Sequence, residues 1–496
     1  MGFQSGKPSR ATRNFLIVAG AILGLAFELF VHPDPAHPAV GHTLAVAVLM
    51  AFYWLTEAMP VAVTALFPVV FFPLAGVLDA GAVAPLYVNN IIFLFIGGFL
   101  LAGAMERWNL HRRIALHIVA RLGHSPGWLL FGFMAASWAI SGWVSNTATT
   151  LMMVPIVMAL AVKIEERGDT DARGLTVALL LGIAYGASIG GMSTLVGTAP
   201  NLALARIYGQ TFPAAPEMTF VRWMLVAAPV SAVMAIVVFV WLRLRVMGRR
   251  PAPVDPRVMR AELNALGAMS REEKLVSVLF VAFALLIVTR ADVTVGSTVL
   301  HGWASHLGLA THVSDGTVAM GVALVLFALP ARNGEFILDG GAITRLPWDI
   351  VLLLGGGFAL ARAFQVSGLS GYFGRQLAGL GGVSTVVLIG AVCLMITFLT
   401  ELTSNTATTQ VVLPILASTS VAIGVDPLLI MVPATLSASC AFMLPVATPP
   451  NAIVFGTGRL DIQTMARTGV VLNIIGVVVV TALMMLFGRR MLGIGG

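Results

Sequence analysis

The hexapeptide Ser145-Asn146-Thr147-Ala148-Thr149-Thr150 recurs unchanged as Ser404-Asn405-Thr406-Ala407-Thr408-Thr409, each copy in the middle of a long apolar run. Around the first copy, residues 125–162 contain no charged residue and no histidine over 38 positions. A single straight helix of that length would extend about 57 Å at 1.5 Å per residue, against a hydrocarbon core of about 30 Å. The run must therefore turn back on itself, and the polar hexapeptide marks the turn. Residues 385–423 repeat the design. Irregular backbone at membrane depth survives only where protein or a water-filled cavity surrounds it, so both turns belong inside the protein. The reading is two re-entrant helical hairpins, at about 127–162 and 385–423.

The rest of the chain agrees with a membrane setting. Of its 496 residues 58% are hydrophobic and 10% charged, with a mean hydropathy of +0.94; soluble domains carry about 25% charged residues. Further apolar segments fall at about 14–31, 42–59, 60–78, 88–105, 175–205, 219–242, 275–289, 316–330, 346–364, 427–457 and 469–488. The expected fold class is an all-α polytopic membrane protein of about 11 transmembrane helices plus the two hairpins. Lys7, Arg10 and Arg13 followed by an apolar stretch have the outline of a signal peptide. That stretch is long, contains Glu28 and precedes no small-residue cleavage site, so it reads as the first span. With the N-terminus cytoplasmic, 22 of the 29 Lys and Arg residues fall in cytoplasmic segments, as the positive-inside rule requires. The same scheme puts the C-terminus, with Arg489 and Arg490, outside. The net charge of +7 is thus positional and not a nucleic-acid footprint. Cys393 and Cys440 lie in apolar runs and form no metal or redox motif.

The hexapeptide belongs to a larger repeat. Residues 89–110 align with 348–369 at an offset of 259, placing Gly97-Gly98-Phe99 on Gly356-Gly357-Phe358, and the same offset superimposes the hexapeptides and carries Pro155 onto Pro414. Val196-Gly197-Thr198-Ala199-Pro200-Asn201 then matches Val446-Ala447-Thr448-Pro449-Pro450-Asn451 at offset 250. The two copies begin on opposite sides of the membrane in the orientation above, which makes them inverted repeats. Inverted repeats with interrupted hydrophobic segments at matching positions point to a secondary transporter with its site at the repeat interface. The expected organisation is scaffold helices at 1–85, a first repeat at 86–242, a cytoplasmic linker at 243–274, scaffold helices at 275–345 and a second repeat at 346–488.

The polar turns offer hydroxyls, amides and unpaired backbone groups. Their oxygens suit a hard cation, while amide hydrogens and helix N-termini suit an anion. Proline in each VGTAPN or VATPPN break removes a backbone donor and frees local carbonyls. No Lys or Arg occurs at 125–162, 175–205, 376–425 or 427–458, and Glu401 is the only group there that is charged near neutral pH. An anion in that region has no basic side chain to neutralise it, so bound cations should accompany it. Glu401 reads as a structural partner of a polar neighbour, and Glu57 as a second intramembrane carboxylate without an assignable partner. His111, His117 and His124 mark a basic interfacial stretch. Gly355-Gly356-Gly357 lacks the strand-turn-helix setting of a dinucleotide loop, and no ATP motif or catalytic dyad occurs, so neither a pump nor an enzyme is expected.

The paired SNT motifs, Trp54-Leu55-Thr56-Glu57-Ala58-Met59-Pro60 and residues 442–458 (FMLPVATPPNAIVFGTG) resemble the divalent anion/sodium symporter family, the INDY-type di- and tricarboxylate transporters, over nearly all the chain after the first span. The resemblance implies a homodimer in the plasma membrane (the inner membrane of a bacterium), with scaffold and transport domains moving as an elevator. It implies symport of a small dianion, most simply a C4-dicarboxylate such as succinate, fumarate or malate, with at least two sodium ions per protomer. Sulfate or citrate symport and sodium-independent dicarboxylate exchange are the alternatives. The implied substrate contacts are Ser145, Asn146, Thr147, Ser404, Asn405, Thr406, Thr198, Thr448 and Pro449. The implied sodium ligands are Ser141, Ser145, Asn146 and Gly197 in one repeat, and Thr400, Thr403, Asn405 and Ala447 in the other. Ala199 stands where many relatives carry a second proline.

Overall fold

The computed structural model describes residues 9–123, 125–165, 172–248, 256–295 and 298–494; Lys7, His124 and linker residues 249–255 lie outside them. Among the described residues eight helices are long and apolar enough to cross a membrane, beginning with Arg10–Phe30 and Pro38–Thr56. Both expected hairpins form. The first pairs Pro126–Ser141 with Asn146–Glu165, and the second pairs Thr385–Thr400 with Asn405–Ala422. Both expected breaks form as well: Ala172–Gly191 is interrupted before Ala199–Thr211, and Pro427–Ala438 before Pro449–Phe455. The all-α expectation gains one small exception. Val293–Val295 pairs antiparallel with Thr298–Leu300, where five of the six paired residues are β-branched Val or Thr, which favour extended backbone.

Helices begin where the sequence supplies caps. The side chains of Ser125, Thr219, Ser270, Ser314 and Asp461 each accept a hydrogen bond from the backbone N–H three residues on. Ser270 and Glu273 complete a reciprocal capping box at the start of Arg271–Val288. Glu57 ends the helix Pro38–Thr56 in a left-handed conformation, φ 48°, and its side chain is exposed.

Ala172–Gly191 is the centre of the first half. It packs on both helices of the first hairpin and on Phe220–Arg245. Gly182, Gly186 and Gly190, four residues apart, form the contact stripe toward Met134, Ser137 and Trp138 of the hairpin, as small residues do where membrane helices approach closely. A Cβ on Gly190 would collide with the backbone of Trp138. Gly190→Ala should therefore cost about 1–3 kcal/mol, the usual penalty of overpacking, read as a lowered melting temperature of the purified protein.

The hairpin turn is also held from outside. Trp143 stacks on Phe220 with ring centroids 5.6 Å apart and meets Phe280 edge-on at 5.2 Å. Below Phe220, its backbone N–H donates to Asp315 Oδ2 at 2.7 Å, while Arg290 Nε donates to Asp315 Oδ1 at 2.6 Å. This buried ion pair joins the starts of Phe220–Arg245 and Asp315–Ala328 to the end of Arg271–Val288. On the other face, Arg113 Nε donates to Glu273 Oε1 at 2.9 Å, tying the basic helix Leu110–Leu122 to the linker side. His111 and His117 sit on that helix with Nδ1 against the carbonyls of Met105 and Arg113, and so belong to its packing.

Candidate substrate and cation site

Each copy of the hexapeptide builds the same object. Ser145 and Ser404 cap the second helix of their hairpins, their Oγ accepting from Ala148 and Ala407 N–H. Asn146 and Asn405 are the first helical residues. Ser141 Oγ donates to Asn146 Oδ1 at 2.5 Å, and Thr400 Oγ1 donates to Asn405 Oδ1 at 2.5 Å. Thr150 and Thr409 return their hydroxyls to the carbonyls of the two asparagines. The Ser, Asn and Thr of both SNT triplets are half-buried; Thr149, Thr150, Thr408 and Thr409 just after them are buried, and Leu402 ahead of the second triplet is exposed. The outcome is a pair of helix N-termini with first-turn N–H groups unpaired, each carrying an asparagine amide whose oxygen accepts from a hydroxyl of the preceding hairpin helix.

The breaks come up against the turns. Gly191 and Gly197 touch backbone to backbone, and a Cβ on Gly191 would lie 2.6 Å from Asn146 Oδ1. Ser141, Asn146 and Gly197, three of the four residues of the implied first cation set, thus lie together; the fourth, Ser145, caps the helix. Thr194 reinforces the arrangement: its hydroxyl donates to the Gly142 carbonyl and accepts from Gly197 N–H at 3.2 Å. In the second half Thr400 also donates to the Ala438 carbonyl at 3.1 Å, linking Thr400 and Asn405 to the end of the broken helix. Thr403 is turned elsewhere, its hydroxyl toward the Leu399 carbonyl and Thr408 Oγ1. Ala447 is buried in the second loop, Thr448 caps the following helix by accepting from Asn451 N–H at 3.3 Å, and Pro449 is exposed at its first turn. Thr198, the matching cap position, makes no such side-chain bond.

Glu401 has a clear partner set. Its Oε1 accepts from Met443 N–H at 2.9 Å and Asn473 Nδ2 at 2.7 Å, and its Oε2 from Leu444 N–H at 3.0 Å. Asn473 Oδ1 in turn accepts from Phe442 N–H. The carboxylate therefore fastens the second hairpin to the second break and to the helix Ile462–Leu483, where the first repeat uses the Thr194–Gly142 bond. This is the structural role read from the sequence, with partners that sequence alone did not name.

The halves interlock. Pro449–Phe455 packs on Asn146–Glu165 of the first hairpin, and Ala199–Thr211 packs on Asn405–Ala422 of the second. Tyr185 OH donates to the Phe442 carbonyl at 2.8 Å across the same boundary. Among the described residues no group of three or more His, Cys, Asp or Glu is gathered as a metal site. The oxygens at the turns are neutral hydroxyls, amides and carbonyls, a donor set that suits a hard cation.

A nearly all-helical membrane chain with two broken helices facing two polar hairpin turns defines a transporter. The model of the sodium:sulfate symporter transmembrane region matches residues 11–494, and the chain belongs to that family. It is 40% identical to the sodium-dependent dicarboxylate transporter SdcS of Staphylococcus saprophyticus, over 99% of this chain and 95% of the relative. It is also 40% identical to SdcS of Staphylococcus aureus, over 96% and 91%. Among solved structures, the Alcanivorax borkumensis YdaH transporter (TM-score 0.56, 14% identity, 97% of this chain and 98% of that one) and Neisseria gonorrhoeae MtrF (0.56, 14%, 94% and 96%) share the fold.

Proposed function

We propose that this protein is a sodium-coupled symporter of a small dicarboxylate, most simply a C4 acid such as succinate, fumarate or malate. The observation that carries the reading is the doubled turn: two asparagine amides, each with its oxygen beside a hydroxyl and its N–H side at a helix N-terminus, in a region without Lys or Arg. Ser141, Asn146 and Gly197 would hold one sodium ion, and Thr400, Asn405 and Ala447 another, with Ser145 and Thr403 completing the sets through backbone oxygen. Asn146, Thr147, Asn405 and Thr406, with Thr198 and Thr448 near the breaks, would face the carboxylates. The SdcS relatives, sodium-dependent dicarboxylate transporters by name, support this substrate class over sulfate or citrate.

The hairpins and broken helices move in this reading as one transport domain against the scaffold helices, by an elevator shift within a homodimer. The N-terminus is cytoplasmic and the C-terminus external. The energetics favour coupling. Importing a dianion against 100 mV, inside negative, costs about 4.6 kcal/mol at roughly 2.3 per charge. Two sodium ions cancel that cost, and a tenfold gradient adds about 2.8 kcal/mol at roughly 1.4 each, enough for about hundredfold accumulation.

The test is succinate uptake into proteoliposomes with sodium replaced by potassium or choline. Uptake should fall to background, with a sodium Hill coefficient above one when sodium is restored. Undiminished uptake driven only by internal succinate would establish exchange in its place.

A further inference from the structure

We propose that Asn201 and Asn451, the asparagines just beyond the two helix breaks, are positioning residues for the two cation sites. The inference rests on the sodium reading above and adds residues that touch neither ion nor substrate. Both asparagines are fully buried. Asn201 Nδ2 donates to the carbonyls of Gly191 at 3.0 Å and Thr194 at 2.6 Å, and approaches that of Met192 at 3.4 Å. Asn451 Nδ2 donates to the carbonyls of Ala441 at 3.1 Å and Leu444 at 3.0 Å. Residues 441 and 444 are the counterparts of 191 and 194 at the offset of 250 that relates the two breaks. One amide nitrogen thus closes the same ring of backbone in both halves.

The amide orientation follows from its partners. Reversing either side chain would set Oδ1 against two carbonyl oxygens, so the nitrogen must face the loop. Neither Oδ1 has a donor among the described residues, so the donors are what this position contributes to the fold. In the first half the pinned carbonyl of Gly191 lies against Gly197, and Gly191 in turn lies under the Asn146 amide. In the second, the pinned segment 441–444 also receives Glu401. The asparagines hold two carbonyls of each loop on one amide nitrogen. They thereby fix where Gly197 and Ala447 stand relative to Asn146 and Asn405.

Asparagine has the required chemistry because one nitrogen carries two donors on a short side chain. Aspartate has the same shape but no donor when ionised, and regains one donor when protonated. A buried carboxyl titrates well above its ordinary range, which places the change in an accessible window. The experiment measures the sodium half-saturation of succinate uptake for Asn201→Asp and Asn451→Asp, at about pH 9 and about pH 6. Each variant should need about tenfold more sodium at the higher pH, the equivalent of about 1.4 kcal/mol, because both donated hydrogen bonds are lost there, and should recover part of this at the lower pH, where one donor returns. Asn201→Ala and Asn451→Ala should show the raised sodium requirement at both pH values. The succinate KM at saturating sodium should change little, and the melting-temperature rise produced by sodium should shrink in parallel.

Parental sodium half-saturation in folded variants at both pH values would overturn the proposal. So would a loss of maximal rate alone, with sodium dependence intact. If an aspartate variant does not fold, the alanine variant and the sodium-induced thermal shift decide the matter. Sodium-independent uptake by the parent protein would instead refute the underlying cation sites, and that result is visible before any variant is made.

Discussion

Succinate uptake is expected to fall about hundredfold or more in Asn405→Ala and equally in Asn146→Ala, with both proteins still folded. Each asparagine oxygen lies 2.5 Å from a hydroxyl oxygen, Thr400 or Ser141, while the same amide carries hydrogens for an anion. In the proposed site, truncation would therefore remove a group from the cation and a group from the substrate in one step. A hydrogen bond to a charged partner contributes about 1.5–3 kcal/mol, so losing two corresponds to about two decades or more at 1.4 kcal/mol each. Folding should survive because the helix starts are capped by Ser145 and Ser404, not by the asparagines, and both amides are half-buried. The check is uptake into proteoliposomes beside melting temperature and monodispersity in detergent. Normal uptake by either well-folded variant would remove the hairpin turns from the site.

Glu401→Leu is expected to produce the largest loss of stability. Its carboxylate, 3% exposed, satisfies two backbone N–H groups and the Asn473 amide. Leucine matches its bulk but accepts nothing, and each buried donor left unmade costs about 1–3 kcal/mol. The sum reaches several kcal/mol, a large fraction of the roughly 5–15 kcal/mol that a folded protein has in all. Glu401→Gln should be milder, since its carbonyl keeps one acceptor while its NH₂ group confronts a donor. The measurement is the thermal midpoint of purified protein, parent against the two variants. A leucine variant as stable as the parent would mean that the segment 442–444 is held by something other than Glu401.

Much of this is legible in the sequence. The 38-residue uncharged run around Ser145-Asn146-Thr147 is too long for one crossing, so its reversal followed from length alone. The offset of 259 paired Asn146 with Asn405 without a gap, and the structure gives both the same hydroxyl partner five residues earlier. Asn201 and Asn451 were inside the matched strings at offset 250, yet their task was not readable. A buried amide closing a carbonyl ring leaves no periodicity and no charge to notice. Thr194 was invisible for the same reason, since a lone threonine in an apolar segment usually only packs.

The sequence by itself determined the membrane class, the two hairpins, the two broken helices and the correspondence between halves. These follow from apolar run length, proline placement and self-similarity, all of which are properties of the chain taken in order. Tertiary structure alone decided which groups meet. It set Gly191 against Gly197 beneath Asn146, crossed Pro449–Phe455 onto the first hairpin, and turned the Thr403 hydroxyl toward Thr408 while Thr400 met Asn405. It also gave Glu401 and Asn473, 72 residues apart, to each other. The physical reason is that hydrogen bonds and close backbone approaches act over a few ångströms in space and carry no mark of separation along the chain. A carboxylate in an apolar run announces that it needs donors, but only the folded packing says whose N–H groups they are.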